Sequence, residues 1–588
     1  MHCELLIQGG LIYDGTGGAP YTADIAVKDG KILHIGQFKG EAERTLDASG
    51  LMVTPGFVDL HTHYDGQISW DERLEPSVYH GVTTVVLGNC GVGFAPVHTA
   101  DRARLISLME GVEDIPGTAL HEGISWDWES FPEYMDAIEK RPHTLDFAVY
   151  VPHDPLRVYV MRERGIAEED STEADRKQMA HILREALAAG AIGFSTGRSD
   201  VHRSSNGENT PAAEATKEEL VALAAVLSEF DHGVLQAVSD FDLLKGPEHF
   251  DREFALVEAF ALAGKSPVSI SLTQRNFAPD QWRQVIARCE QLQDRQPIRL
   301  QVAPRGIGVM LGLTGTFHPL MAFPSYIEIA QLPLAERVSL LRDPQRKQRI
   351  LAEKPITLAR EGSSVPPIAD MLLQQLEEVS RTLFLLGHPP QYEQPFSESI
   401  FERARRKGIH PLAYLYDALL EDEGRAMLYF PIYNYAEGNF SNVLSMLQHP
   451  LALPGLSDGG AHVGMICDAG FPTYLLQYWT RDRAGERLPI EWVVSFLTKR
   501  PAEFLGLSDR GVLAEGKKAD INVIDYAKLG VEEPYMVADL PAGAQRLMQK
   551  SAGIEATFVS GVPVVERSRL TPFRPGRLVR AGGTGTGR

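Results

Sequence analysis

Helix and strand patterns alternate along the middle of this chain, and this alternation constrains the fold more than any other feature. A helix predicted to end near Ala189 leads into the apolar segment 191–195, and a helix opened by the capping-box pattern of residues 216–219 leads into the apolar segment 234–238. Alternation at this spacing favours a parallel sheet with crossover helices. The segment 56–505 is long enough to close such a sheet into a (β/α)₈ barrel with insertions.

Both ends of the chain have the sequence pattern of β-hairpins. An Asp-Gly turn at 29–30 lies between two short apolar strands, and a Ser-Gly turn at 560–561 is placed in the same way near the C-terminus. We therefore expect the two ends to pack together as one small β domain. A mostly helical, charged stretch interrupts the barrel and is predicted to cover its mouth. The predicted boundaries are 1–55 and 506–570 for the β domain, 56–505 for the barrel, about 313–425 for the helical insertion and 571–588 for a tail.

Composition excludes several classes of function. Lys plus Arg number 57 and Asp plus Glu number 78 among 588 residues, so the net charge is −21 and the chain is no general binder of nucleic-acid backbones. Four scattered cysteines are too few for a disulfide framework and are typical of a reducing compartment. Neither a signal peptide nor an apolar stretch long enough to span a bilayer is recognisable. We therefore expect a cytoplasmic protein without nucleic-acid or membrane partners.

Two histidines follow the first predicted barrel strand. The apolar residues 57–60 precede His61 and His63, which are two positions apart and therefore point the same way on an extended chain. Two converging imidazoles at a strand end can form half of a metal site. The alternative is a pair of surface histidines beyond the strand, but the preceding Pro-Gly and the apolar strand favour the metal site.

Two further candidate residues follow other predicted strands. Cys90 comes after the apolar segment 82–87, where its thiolate can bind one metal or bridge two, and the alternative is a small buried apolar residue. Asp458 ends another apolar segment and precedes two glycines. A carboxylate there can bind a metal, accept a proton from activated water and later protonate a leaving group. The alternative is a loop aspartate that accepts hydrogen bonds from turn amides.

Taken together, these segments resemble the amidohydrolase superfamily over nearly the whole chain. Within it, segments 88–91 and 193–197 look like those of the N-acyl-D-amino-acid deacylases, or D-aminoacylases. The resemblance implies a TIM-like (β/α)₈ barrel, a β-sandwich built from both chain ends, and a homo-oligomer. It also implies that metal-activated water hydrolyses an amide bond of a small molecule. The resemblance rests on residues 53–63, 81–84, 88–91, 193–197, 457–458, 498–507 and 511–520.

The resemblance also implies the roles of individual residues. By the family pattern, His61, His63, Cys90 and Asp458 are metal ligands. Asp458 is in addition the catalytic general acid/base, which takes a proton from the attacking water and returns it to the leaving nitrogen. These four residues are the expected centre of the active site.

The chain departs from the deacylase pattern at two places. Deacylases carry a histidine at the ends of the fifth and sixth barrel strands, whereas segments 234–240 and 268–274 contain none. In deacylases, an arginine that holds the substrate carboxylate follows the last-strand aspartate, and segment 463–467 contains no arginine. We therefore expect one tightly held Zn²⁺, or another divalent transition metal, rather than two. We also expect poor turnover of simple N-acetyl-D-amino acids.

Five other residues are candidates for substrate binding. Arg198 and Arg305 follow predicted strands and can hold an anionic group bidentately, and the alternative for each is an ordinary ion pair. His153 and His202 also follow predicted strands, and the simpler interpretation of each is a hydrogen-bonded histidine. His462 lies close in sequence to the candidate general acid/base and is a second candidate for proton transfer.

The predicted function is metal-dependent hydrolysis of an amide bond, and two alternatives stay open. One is hydrolysis of a cyclic amide or a carbamoyl compound, although no strand-end lysine suited to carbamylation is recognisable. The other is a non-catalytic barrel that serves in assembly. The histidine-free fifth and sixth strands favour this second alternative, whereas the four retained candidate ligands favour an enzyme.

Overall fold

Eight parallel strands form the centre of the computed structural model, which describes residues 1–199, 201–241, 246–359, 365 and 367–582. The strands lie side by side in chain order, and they are almost entirely buried because helices cover their outer face. We number them one to eight: Phe57–Asp59, Val82–Leu87, Asp146–Pro152, Gly193–Arg198, Val234–Ser239, Val268–Leu272, Ile298–Val302 and Ala452–Pro454.

The sheet closes through the loops that follow its first and eighth strands. The backbone amide of Asp458 donates to the carbonyl of His61 over 3.1 Å, and the amide of His63 donates to the carbonyl of Gly459 over 2.8 Å. The predicted (β/α)₈ barrel is therefore confirmed. Its mouth brings together residues that follow the carboxyl ends of different strands, which is where barrel enzymes place their active sites.

The capping box predicted at residues 216–219 forms only in part. The helix Lys217–Leu227 begins at Thr216, whose hydroxyl accepts from the amide of Glu219. The Glu219 carboxylate does not complete the capping box, because it binds the buried side chains of His153 and Arg157 instead. The helices of the barrel are Arg102–Glu113, Gly117–Gly123, Phe131–Glu139, His153–Met161, Glu163–Ile166, Glu173–Ala188, Lys217–Leu227, Phe250–Gly264, Gln281–Leu292, Ser441–Leu447, Phe471–Gln477, Ile490–Leu497 and Lys499–Phe504.

A mixed nine-stranded sheet joins the two ends of the chain. Its central contact is the antiparallel pairing of Met52–Pro55 with Ile521–Ile524, and its core includes Ile7 and Phe558. The two chain ends therefore build one β domain. Its other strands are His2–Ile12, Tyr21–Lys28, Lys31–Gly36, Glu41–Asp47, Ile554–Val559, Val562–Glu566 and Arg569–Leu570, and two short ladders pair Gly530–Val531 with Ser551–Ala552 and Tyr535–Val537 with Arg546–Met548.

A helical segment with its own apolar core lies between the seventh and eighth barrel strands. Buried residues such as Phe323, Leu341 and Tyr416 form this core. A three-stranded antiparallel sheet of Gly308–Leu311, Leu428–Pro431 and Phe384–Leu385 joins the segment to the barrel. Its helices are Pro324–Ile327, Leu334–Leu341, Pro344–Ala352, Pro367–Gln374, Leu376–Val379, Ile400–Lys407 and Pro411–Leu419.

The C-terminal segment 571–582 runs beside the amino end of the third barrel strand, where the amide of Gly576 donates to the carbonyl of His143. The remainder of the predicted tail, 583–588, lies outside the described residues. Within the described part of the chain, no helix combines the length and the apolar character needed to cross a membrane.

Candidate active site

Three side chains converge where the first two barrel strands end. His61 and His63 follow the first strand, and Cys90 follows the second in a turn where its backbone is left-handed, with φ of 57°. The Cys90 Sγ atom lies 3.2 Å from His61 Nε2 and 3.7 Å from His63 Nε2. All three side chains are buried. The arrangement offers two imidazole nitrogens and one sulfur within 4.8 Å of one another, as a metal site requires.

Amide side chains on the later barrel strands hold this cluster in place. The Nδ1 atom of His61 lies 2.6 Å from the Oε1 atom of Gln301 on the seventh strand. The amide nitrogen of Gln301 in turn donates to Ser269 on the sixth strand. Because Gln301 presents its oxygen, His61 carries its proton on Nδ1 and leaves the Nε2 lone pair facing Cys90. On the fifth strand, Gln236 accepts from the backbone amide of Cys90 over 3.1 Å.

Asp458 completes the cluster from a distant segment of the chain, after the eighth barrel strand. Its Oδ1 atom lies 3.4 Å from His61 Nε2 and 3.8 Å from His63 Nε2. This oxygen is buried and has no hydrogen-bond partner among the described residues. Burial raises the pKa of Asp458 to about 7. The side chain is 15% exposed, so it faces both the nitrogen atoms and the open space above them.

Glu113 is a fifth member of the cluster that the sequence analysis missed. It ends the helix Arg102–Glu113, and its side chain is only 1% exposed. Its Oε1 atom lies 3.2 Å from His63 Nδ1, and its Oε2 atom lies 3.7 Å from His462 Nε2. Burial, with the nearby charges of Asp458 and Asp65, raises the pKa of Glu113 well above its ordinary value. The acidic pair 113–114 just before Pro116-Gly117 was the available signal in the sequence.

The donor set fits a divalent transition metal. Burial raises the pKa of the Cys90 thiol and lowers the pKa of His61 to about 4, so His61 is neutral and has a free lone pair. Burying a thiol and unpartnered carboxyl groups together is unfavourable without a cation. Imidazole nitrogen, thiolate and carboxylate oxygen are the ligands that Zn²⁺ and similar ions take in proteins. His61, His63, Cys90 and Asp458 are therefore the residues that can hold such an ion.

A cavity of about 870 Å³ opens above these four residues at the barrel mouth. Polar groups lie at its base, whereas the insertion and its flanking strands supply an apolar wall. This composition suits a small-molecule ligand with a large apolar part. The residues of the apolar wall include Val309, Leu311, Phe317, Met321, Leu372, Phe430 and Ile432.

The five candidate substrate-binding residues divide into two groups. His202 and His462 line the cavity. Arg198, Arg305 and His153 are not among the described residues that line it. Arg198 pairs with the carboxylate of Glu253, with a shortest contact of 2.9 Å, on the outside of the barrel wall.

Arg305 and His153 are also held in buried contacts of their own. Arg305 lies 2.8 Å from Asp468 and stacks over the ring of Tyr392. His153 lies 2.9 Å from both Thr196 Oγ1 and Glu219 Oε1. The structure therefore places these two residues, like Arg198, in the ion pairs and hydrogen bonds that were the alternatives to substrate binding.

Arg275 is a cavity-lining arginine that the sequence analysis did not single out. It follows the sixth strand and is the only arginine or lysine among the described residues that line the cavity. It donates to the carbonyl of Ser239 over 2.7 Å and to Gln281 over 3.1 Å, and it lies 3.4 Å from Asp240. Its buried Nε atom has no hydrogen-bond partner in the described structure. These contacts fix a buried cation in the wall of the cavity.

Comparison with known proteins finds relatives of this chain both in sequence and in fold. The model of the Amidohydrolase family matches residues 44–565. A D-aminoacylase of Alcaligenes xylosoxydans xylosoxydans is 27% identical over 98% of this chain and 97% of its own, and an uncharacterised protein of Mycobacterium tuberculosis is 28% identical over 99% and 96%. A solved N-acyl-D-glutamate deacylase from Bordetella bronchiseptica, complexed with zinc and a phosphonate inhibitor, superposes with a TM-score of 0.63 at 22% identity and covers 99% of this chain and 100% of its own.

Proposed function

Because the chain belongs to the amidohydrolase family and is thus a hydrolase acting on carbon–nitrogen bonds, we propose that it cleaves an amide bond in a small molecule with the help of one divalent metal ion. The observation that carries this proposal is the convergence of His61, His63, Cys90 and Asp458 at the base of a cavity. A barrel kept only for assembly has no physical need for these four buried polar groups together.

One ion rather than two is the stoichiometry that the surrounding residues favour. The fifth, sixth and seventh strands contribute Gln236, Ser269 and Gln301 around the cluster, and these side chains bind to the cluster residues or to one another. Neutral amides and hydroxyls are weaker ligands for transition metals than imidazole. When bound, the ion supplies Lewis-acid activation of water and of the amide carbonyl. Zn²⁺ is the ion we propose.

Asp458 is proposed to move the proton. The unpartnered Oδ1 atom faces the histidine nitrogens, and the side chain is open to the cavity on its other side. From this position it can accept a proton from the attacking water and deliver it to the leaving nitrogen. The amide of Asp458 is anchored to the carbonyl of His61, which keeps the side chain beside the cluster.

The cavity favours an N-acyl compound with a large apolar group and an acidic group. A volume of about 870 Å³ is far more than an N-acetyl amino acid needs. We propose that a long acyl chain packs against Phe317, Met321 and Phe430, and that Arg275 binds a carboxylate of the amine product. The deacylase relatives act on N-acyl-D-amino acids, as their names state, and this supports a substrate of that general type.

A substrate panel tests the proposal. The purified, zinc-supplemented protein is assayed with N-acetyl, N-octanoyl and N-lauroyl derivatives of D- and L-amino acids, and with uncharged amine analogues. We expect the longer acyl derivatives of amino acids to be hydrolysed with the higher kcat/KM. Failure of the whole panel, together with a protein that binds no metal, would favour the non-catalytic alternative.

A further inference from the structure

Glu113 places a buried carboxyl group beside the second ring nitrogen of His63. The Nε2 atom of His63 lies 3.7 Å from Cys90 Sγ and 3.8 Å from Asp458 Oδ1, so this nitrogen faces the proposed ion. The other ring nitrogen, Nδ1, faces Glu113 Oε1 at 3.2 Å. Glu113 therefore contacts the imidazole at the nitrogen that the ion does not use.

Both histidines of the cluster have an oxygen atom near Nδ1, although only the Nδ1 atom of His61 has a hydrogen-bond partner among the described residues. His61 presents Nε2 to Cys90 and has its Nδ1 atom 2.6 Å from the Gln301 amide oxygen. His63 presents the same nitrogen and has a carboxylate beside its Nδ1 atom. Metal-binding histidines commonly donate their second N–H to a carboxylate or carbonyl, which fixes the tautomer and raises the basicity of the ligand nitrogen.

Resting on the proposed function, we propose that Glu113 is a positioning residue of the metal centre. In the described structure His63 Nδ1 has no hydrogen-bond partner, so the Glu113 carboxyl group is the one placed to accept its N–H and to keep the Nε2 lone pair aimed at the ion. Its second oxygen, Oε2, lies 3.7 Å from His462 Nε2 on the loop that follows the eighth strand. Glu113 thus lies between His63, after the first strand, and the last loop of the barrel.

The position of Glu113 at the end of a helix fixes where its side chain lies. Glu113 is the last residue of Arg102–Glu113, and the next residue, Asp114, has a left-handed backbone with φ of 50°. The Asp114 carboxylate accepts from the amide of Gly464 over 3.1 Å, which ties the end of the helix to the loop that carries His462. The backbone beside Glu113 is therefore anchored to the loop that carries His462.

Metal affinity, measured without substrate, tests the proposal. Zn²⁺ is titrated into metal-free wild-type protein, Glu113→Gln and Glu110→Gln in competition with a chromophoric chelator. Glu110 is the matched control, because it lies one turn earlier on the same helix and accepts from the amide of Gly117. We expect Glu113→Gln to weaken Zn²⁺ binding by about 10- to 100-fold. We expect Glu110→Gln to change it by less than about threefold, because the Glu110 carboxylate is bound to the amide of Gly117 rather than to a residue of the cluster.

The absorption spectrum of Co²⁺-loaded protein separates positioning from direct ligation. If Glu113 positions His63, the variant binds Co²⁺ more weakly, but its saturated spectrum keeps the intensity and the thiolate band of the wild type. A saturated spectrum with a changed coordination number would overturn the proposal, because Glu113 would then be a ligand. Unchanged Zn²⁺ affinity in a folded Glu113→Gln protein would overturn it as well.

Two further comparisons cover the remaining outcomes. If Glu113→Gln does not fold, Glu113→Asp replaces it in the test. This variant keeps the carboxyl group but moves it back by one methylene, and it is expected to weaken Zn²⁺ binding measurably. Unchanged affinity in that variant counts against the proposal. If the wild-type protein itself binds no Zn²⁺, the proposed function fails at the same time. Wild-type binding with no effect of either Glu113 variant removes the positioning role and leaves the proposed function standing.

Discussion

Replacing Asp458 by asparagine is expected to change activity and stability in opposite directions. Asparagine keeps the size and one oxygen ligand, but it cannot accept a proton at neutral pH. Turnover of an established substrate should therefore fall by roughly 10²- to 10⁴-fold, the typical contribution of a general acid/base. This range corresponds to about 3–5 kcal/mol of activation free energy.

The stability effect follows from the burial of the carboxyl group. In the metal-free protein, the pKa of Asp458 rises from 3.8 to about 7 on folding. The folded state therefore binds the proton more tightly, and the stability contributed by this group is complete below about pH 4 and is lost as the pH rises to about 7. A pKa difference of this size between the folded and unfolded states amounts to about 4 kcal/mol of unfolding free energy. Asparagine does not ionise, so Asp458→Asn should not lose stability as the pH rises. At pH 8 the metal-free variant should therefore be more stable than the metal-free wild type.

Asp154 provides a matched control for this experiment. It is also a buried aspartate whose pKa burial raises, to about 8, and it does not line the cavity in the described structure. Asp154→Asn should show a similar gain in stability at high pH, measured by urea unfolding of metal-free protein at pH 5 and pH 8, but normal turnover. Near-normal turnover of Asp458→Asn would refute the proposed proton transfer, and equal stability of wild type and variant at both pH values would refute the burial argument.

Further expectations concern the metal, the substrate and the fold. Elemental analysis after exhaustive dialysis should find close to one ion per chain, and two retained ions would contradict the inference from Gln236 and Gln301. Arg275→Ala should raise KM for acidic N-acyl substrates by about 10-fold or more, as expected for a lost charge-assisted hydrogen bond, but leave uncharged analogues unaffected; a similar change for both would exclude a contact with the carboxylate. Arg198→Ala should lower the unfolding free energy by about 3–5 kcal/mol, because it leaves Glu253 buried without its partner. Calorimetry that detects no destabilisation would refute this expectation.

The parts of the site that the sequence predicted are those marked by local patterns. His61, His63 and Cys90 follow apolar strands directly, and in a parallel barrel such positions meet at one mouth. Asp458 was found for the same reason, since it lies between an apolar segment and two glycines. Strand periodicity and turn composition are properties of neighbouring residues, so a single sequence contains them.

The residues that the sequence did not predict depend on contacts between distant segments. Arg198 belongs to the fourth strand, but its side chain lies on the outer side of the strand, against Glu253; a shift of one position in the strand decides between the two faces. Glu113 and Arg275 face the cavity only because a helix end and a loop are folded over the barrel mouth. The acidic pair 113–114 marks a helix end, but nothing in the neighbouring residues shows that this end lies over the barrel mouth.

The closure of the barrel has a consequence for synthesis of the chain. Ser457, which precedes Asp458, donates to Asp59, which lies just before His61, although the two residues are 398 positions apart. At about 5–20 residues per second, a ribosome needs roughly 20–80 s to make the intervening chain. During that interval the nascent chain presents His61, His63 and Cys90 without the carboxylate that completes the site. Capture of the wrong ion or oxidation of the thiol at this stage would be a failure of biogenesis rather than of the folded enzyme.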